Sequence, residues 1–276
     1  MMVLKELAKA KVNLTIDVLG KREDGFHAMK TRMAPISLAD ELEFYDADEY
    51  SLECDTEGVP LYETNLVSRA VRIFERETGK VCKWRVKLIK HVPHGAGLGG
   101  GSADAAAVMR GLNKLMYTEL SNSRMAELLS EIGSDIPFFV YESVCDCSGR
   151  GEIVEPVAWD HDVTMLLLKP SFGVSTPEAY KAWKGAKELP GINYEKQVFP
   201  WGDIYNDLEK PVFMKHRFLA EMKCWLLKQD VVQGAMMSGS GSTFMAIINE
   251  KDGQELLEKV KHELDPTLWG AVVKLG

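Results

Sequence analysis

The chain has 276 residues, enough for one large domain or two of ordinary size, and is 46% hydrophobic and 27% charged, a globular composition with ample material for a core. Its 33 basic and 41 acidic residues give a net charge of −8, which disfavours nucleic-acid backbone and anionic membrane surfaces as partners. A small-molecule ligand is therefore the starting expectation, with no nucleic acid and no membrane.

Lysines at 5, 9 and 11 interrupt every apolar stretch near the start, so no signal-peptide core is expected there. No run approaches the roughly 20 apolar residues of a membrane span. Residues 11–19, KVNLTIDVL, alternate with period two. Val12, Leu14, Ile16 and Val18 share one face; Lys11, Asn13, Thr15 and Asp17 share the other. The pattern predicts a half-buried strand presenting a lysine and an amide together. Residues 20–27 read as a turn. Charge is then segregated: residues 41–64 carry nine carboxylates and no Lys or Arg, and residues 65–94 carry eight Lys/Arg against two Glu. Both runs read as solvated surface, although the basic one leads into an unusual glycine-rich loop.

Asn65 has the chemistry of an N-cap for a helix with Leu66, Ala70, Ile73 and Phe74 inward, closed by Gly79. Trp84, Val86 and Leu88 predict a second alternating strand. After the glycine-rich stretch 93–101, a helix is expected from Ser102 to about Met116, with Ala105, Val108, Met109, Leu112 and Leu115 or Met116 inward. Another helix starts at Ser121, packs Met125, Leu128, Leu129 and Ile132, and stops at Gly133. Beyond 150, strands are predicted at 163–169, 242–249 and 270–275, and helices at 176–186, 212–229 and 253–264. Strands alternating with helices give a mixed α/β (α+β) fold. The softest boundary lies around 150–160, so the expected domains are 1–155 and 156–276. Five cysteines in no framework spacing fit a reducing, cytoplasmic setting, and Cys145 and Cys147 read as same-face strand residues rather than metal ligands.

The loop reads Pro93-His94-Gly95-Ala96-Gly97-Leu98-Gly99-Gly100-Gly101-Ser102-Ala103. Five glycines in seven positions let backbone N–H groups turn inward and let a ligand approach closely. The helix that follows adds unpaired N–H groups and a positive dipole end, which together make an anion site suited to a phosphate chain. There is no Walker A motif. Gly95-x-Gly97-x-x-Gly100 satisfies the dinucleotide fingerprint, but the expected acidic residue further on has only Glu119 to offer.

The longer string PHGAGLGGGSADAA resembles the phosphate-binding motif of the GHMP kinases, the superfamily of galactokinase, homoserine, mevalonate and phosphomevalonate kinases. Further blocks are similar to one branch of it, which phosphorylates a cytidine-diphosphate-linked methylerythritol in the non-mevalonate isoprenoid pathway. They are Ala10–Leu14, Asp24–His27, Gly133–Phe139, Gly149–Glu152, Asn206–Glu209 and Met237–Gly241, in that branch's order. The resemblance implies an N-terminal domain of ribosomal-protein S5 type, a C-terminal ferredoxin-like domain, and an active site between them. It implies ATP and Mg²⁺, with transfer of the γ-phosphoryl directly to the 2-hydroxyl of the methylerythritol unit.

Carried over residue by residue, Pro93 to Ala103 would wrap the ATP phosphates and Ser102 could reach Mg²⁺. Asp135 matches the catalytic aspartate and Lys11 the lysine beside it. Phe26 and Tyr180 match positions that sandwich cytosine, and His27 matches a residue that hydrogen-bonds it. Asn13 should contact polar groups of the substrate, and Ser238, Gly239, Ser240 and Gly241 should close against the phosphate loop and the substrate diphosphate. Phe26 stands where tyrosine is more usual, His94 where methionine is common, and Ala103 where serine is frequent. The rival readings are a homoserine- or mevalonate-type kinase of the same superfamily and a dinucleotide-dependent oxidoreductase. A monomer or weak homodimer is expected.

Overall fold

A computed structural model describes residues 1–276. Two long strands, β1 (Met2–Lys21) and β2 (His27–Asp46), form an antiparallel hairpin around a turn at 22–26, and β3 (Ser51–Cys54) follows. Next come α1 (Leu66–Thr78), β4 (Trp84–Ile89), α2 (Gly100–Leu115), α3 (Asn122–Leu129), α4 (Ile136–Tyr141), β5 (Cys145–Ser148) and β6 (Ile153–Pro156). The later half supplies β7 (Thr164–Lys169), α5 (Thr176–Ala182), β8 (Gln197–Phe199), β9 (Gly202–Asn206), α6 (Glu209–Lys215) and α7 (Arg217–Leu226). It ends with β10 (Gly234–Met237), β11 (Phe244–Ile248), α8 (Gly253–Glu263) and β12 (Trp269–Lys274). No helix is long and apolar enough to cross a membrane.

The first sheet has eight strands: β3-β4-β2-β1-β9-β8 in order, with β5 pairing β2 and β6 pairing β5. The second has four, β10-β11-β7-β12, with antiparallel pairing throughout. This is the mixed helix-and-sheet class read from the sequence. It is not the doubly wound parallel sheet that a dinucleotide fingerprint needs, because β4 pairs antiparallel with β2 and only β3 and β9 run parallel to a neighbour.

Three cores hold these layers. Leu42, Phe44, Phe74, Val86, Phe138 and their neighbours pack the first sheet against α1–α4. Leu166, Leu168, Met237, Phe244 and Ala246 pack one face of the second sheet against α6, α7 and α8. Its other face, with Met165, Leu167, Met236 and Met245, packs on Val12, Leu14, Ala34 and Ile36 of the first sheet. Strands buried on both faces read as continuous apolar runs, which is why MLLL in β7 shows no alternation.

Most predicted elements stand close to their predicted bounds. Asn65 accepts the N–H of Val67 as the N-cap of α1, and Gly79 closes it in the left-handed region. Cys145 and Cys147 share a buried face of β5. The strand at 11–19 is longer than expected, and its alternation of burial holds from Leu14 to Val18 but not at Lys11 and Asn13, which are buried because two loops close over them. The single helix expected at 212–229 is two, broken at His216, whose φ of −117° and ψ of 76° leave the helical region. α2 begins at Gly100 rather than Ser102, since Gly99 at φ 73° already caps it.

Candidate active site

The phosphate-type loop owes its shape to an alternation of its own. Gly95, Gly97 and Gly99 have φ of 64°, 75° and 73°, a region that side chains disfavour, while the intervening Ala96 and Leu98 are buried. The buried residues are the loop's anchors. Lys11 N–H donates to Leu98 O at 2.9 Å, and Thr243 Oγ1–H donates to Ala96 O at 2.6 Å. Two of the glycines are also required by space: a Cβ on Gly99 would lie 2.4 Å from Phe139 Cζ, and one on Gly97 would lie 2.9 Å from Gly241 O. Ala103 N–H closes the first turn of α2 onto Gly99 O, so the N–H groups of Gly100, Gly101 and Ser102 remain unpaired within the helix. His94, Gly95 and Gly101 are exposed, and Pro93 and Ser102 are half-buried.

A charged cluster lies beneath this loop. Lys90, at the end of β4, is ion-paired to both Asp40 and Asp104, the latter at 2.6 Å. Asp40 Oδ1 also accepts the N–H groups of His91 and Val92, which fixes the chain entering the loop. One lysine serves two buried carboxylates, and Asp104 Oδ1 has no partner. Burial therefore pushes the Asp104 carboxyl up to about 7, with Lys90 acting against the shift.

The β1 hairpin supplies the second component. Its register slips on either side of Lys11–Asn13, and Pro35, which has no N–H, stands opposite Lys11. Lys11 Nζ donates to Asn13 Oδ1 at 2.6 Å, and Asn13 Nδ2 donates to Thr31 Oγ1 at 2.8 Å. Burial lowers the Lys11 pKa; the neighbouring Asp135 charge acts in the opposite sense. Asp135 is the N-cap of α4, yet its carboxylate makes no capping bond. Its Oδ1 lies 3.2 Å from the point a Cβ on Gly151 would occupy, so the bare backbone of Gly151 is what gives it room.

The turn Ser238–Gly241, between β10 and β11, closes over both. Asn13 N–H donates to Ser238 Oγ at 3.2 Å, and a Cβ on Gly239 would stand 3.5 Å from Gly97 O and 3.6 Å from Lys11 Nζ. Ser240 Oγ is bonded to Thr176 Oγ1 at 2.6 Å. Loop, lysine and turn thus meet within one small region. At its outer side, His27 and Tyr180 have ring centroids 5.4 Å apart, and Trp183 stands edge-on to His27 at 6.4 Å. Phe26 is exposed, with the Arg150 guanidinium 4.9 Å from its ring centroid. The Phe26 and Tyr180 rings do not touch; it is His27 that faces Tyr180. Tyr180 Oη donates to Met29 Sδ, and burial raises its pKa.

Several residues of this region escaped the sequence reading. Thr31 lies on β2, a strand whose alternation is disrupted by Pro35 and the register slips. Thr176 and Thr243 carry no motif of their own. Asn206–Glu209 stands in the sequence only as a block similar to the family's, with no role attached. No group of three or more His, Cys, Asp or Glu residues is placed to hold a metal ion by itself.

The GHMP kinases N terminal domain model matches residues 65–143, and the GHMP kinases C terminal model matches residues 199–265. A Methylacidiphilum infernorum protein named 4-diphosphocytidyl-2-C-methyl-D-erythritol kinase is 36% identical, over 96% of this chain and 94% of its own. One of the same name from Caldanaerobacter subterraneus subsp. tengcongensis is 38% identical, over 95% and 93%. The crystal structure of a 4-(cytidine 5'-diphospho)-2C-methyl-D-erythritol kinase superposes with a TM-score of 0.81 at 31% identity, covering 99% of both chains. Homoserine kinase from Cytophaga hutchinsonii shares the fold, with a TM-score of 0.70 at 16% identity, over 99% of this chain and 94% of that one. The chain belongs to the GHMP kinases and, within them, to the 4-diphosphocytidyl-2-C-methyl-D-erythritol kinase family.

Proposed function

We propose that this protein transfers the γ-phosphoryl group of ATP to the 2-hydroxyl of 4-diphosphocytidyl-2-C-methyl-D-erythritol. The observation that carries the reading is the meeting of three features: the Pro93–Ala103 loop, the Lys11–Asn13 pair and the Ser238–Gly241 turn. Phosphoryl transfer proceeds through a loose transition state, so a kinase acts mostly by positioning and by stabilising charge.

The residues present suit the nucleotide. Gly97 and Gly99 keep the loop packed against Gly241 and Phe139, where a Cβ would collide, and the start of α2 offers unpaired N–H groups to phosphate oxygens. Ser102 is the side chain in the loop that would hold Mg²⁺, together with the nucleotide's own oxygens. The ion supplies neutralisation of phosphate charge. Asp135, with its carboxylate free of capping duty, would accept the proton of the attacking hydroxyl. Lys11, held by Asn13, would stabilise charge on that oxygen.

The outer aromatic group gives the cytosine its place. Phe26, His27 and Tyr180 form its lining, with Phe26 offering a stacking face and His27 a hydrogen bond. Asn13 and the Ser238–Gly241 turn would meet the portion of the substrate between base and hydroxyl. Phosphorus NMR of a completed reaction tests transfer to the substrate hydroxyl. The expected result is one ADP and one new phosphomonoester per substrate consumed; ADP without a new phosphomonoester would contradict it.

A further inference from the structure

The segment Asn206–Glu209, at the end of β9 and the start of α6, takes no part in the chemistry above, yet its side chains are committed in two directions. Toward the glycine turn, the Asn206 amide donates to Met237 O at 2.7 Å and to Gly239 O at 2.8 Å, and Glu209 Oε1 accepts the Met237 N–H at 2.9 Å. Toward the hairpin, Asp207 Oδ2 accepts the Val18 N–H at 2.9 Å, and the Asp207 N–H donates to Ile16 O at 3.1 Å. Residues 205 and 206 also continue the ladder beside Thr15 and Ile16.

These contacts are specific to the residue types. Asn206 Oδ1 accepts the Leu208 N–H at 2.9 Å, so the amide has one orientation and both of its N–H groups face the turn. An aspartate there would set a carboxylate against two carbonyl oxygens in a buried site. Glu209 is buried to the same degree as Lys223, its partner at 2.5 Å, which leaves its second oxygen for Met237. The next residue after Met237 is Ser238, whose Oγ accepts the Asn13 N–H.

We propose that Asn206 and Glu209 are positioning residues, forming with Asp207 a two-sided clamp that fixes the Ser238–Gly241 turn against Lys11 and Asn13. The proposal rests on the functional reading for what the turn and Lys11 do, but the clamp itself is testable without activity. An error of about 1 Å in the placement of reacting groups costs on the order of 100-fold in rate.

The test compares Asn206→Asp, Asn206→Ser and the double variant Glu209→Gln with Lys223→Met, which keeps an acceptor for Met237 without a stranded charge. Asn206→Asp is expected to lower kcat about 30-fold or more, with KM for both substrates within about threefold. Amide exchange across 237–242 should accelerate by about tenfold, while exchange in α1 stays unchanged. The double variant should keep kcat within about threefold of the parent. Normal kcat in a folded Asn206→Asp, or unchanged exchange in the turn, overturns the clamp. If Asn206→Asp fails to fold, the exchange of Asn206→Ser decides in the same way. If the parent protein shows no phosphoryl transfer at all, the functional reading fails, and the exchange result still decides the clamp.

Discussion

Lys11 shows how strongly one side chain depends on its surroundings. A buried ammonium is costly unless its N–H groups and charge are met, and here Asn13 and Asp135 meet them. Asp135 is the group that the proposed chemistry depends on most. Asp135→Asn should lower kcat by about 100- to 10,000-fold, as loss of a general base does, with nucleotide affinity within about twofold. Coupled ADP release and titration calorimetry measure the two quantities separately. Asp104 gives a prediction about pH. Its folded pKa of about 7 is raised above the ordinary carboxylate value, so the folded state binds its proton more tightly than the unfolded state does. Its contribution is complete at low pH and is lost as pH rises through about 7. Asp104→Asn should therefore raise the melting temperature at pH 8 by about 2 °C or more relative to its effect at pH 5. Melting curves at the two pH values check this. Lys11 and Asn13 were legible as a pair on one face of a strand. Their burial was not, since it comes from loops about 90 and 225 residues away closing over them.

At the scale of elements, the glycine loop is the part that a single sequence states most plainly. Its alternation of bare and anchored positions was only half legible: the glycines announce a phosphate cradle, but Thr243, which ties down Ala96, belongs to a distant strand. Gly99→Ala should weaken nucleotide binding by about tenfold or more, because the new methyl group meets both a left-handed backbone and the Phe139 ring. Calorimetric titration with a nucleotide reads it directly. For α1, whose bounds and caps agree with the sequence reading, Asn65→Ala should cost about 1 kcal/mol of stability, visible as a lower denaturant midpoint. β2 was missed because Pro35 and slipped register hide its period, and β8, β9 and β10 were missed because three to five residues are too few to show one.

At the scale of the whole molecule, the site lies where two sheets meet. The apolar face of β10, β11, β7 and β12 packs on β1 and β2, and the same contact carries the Ser238–Gly241 turn to Lys11. The later half of the chain also returns β8 and β9 to the first sheet, beside β1. The sequence marks the two ends of this arrangement, with KVN near the start and SGSG near the end, but not the joint between them. The negative net charge likewise describes the whole chain rather than the site, where Lys11 and the unpaired N–H groups at the start of α2 face the glycine loop. The identity of the phosphoryl acceptor is what sets this protein apart from other GHMP kinases. The measurement that tests it most directly is kcat/KM for ADP release with 4-diphosphocytidyl-2-C-methyl-D-erythritol against homoserine and mevalonate. The expected preference for the cytidine-linked acceptor is at least about 10,000-fold, because a site built to pair polar groups rejects ligands that lack them. Comparable turnover of homoserine or mevalonate would contradict it.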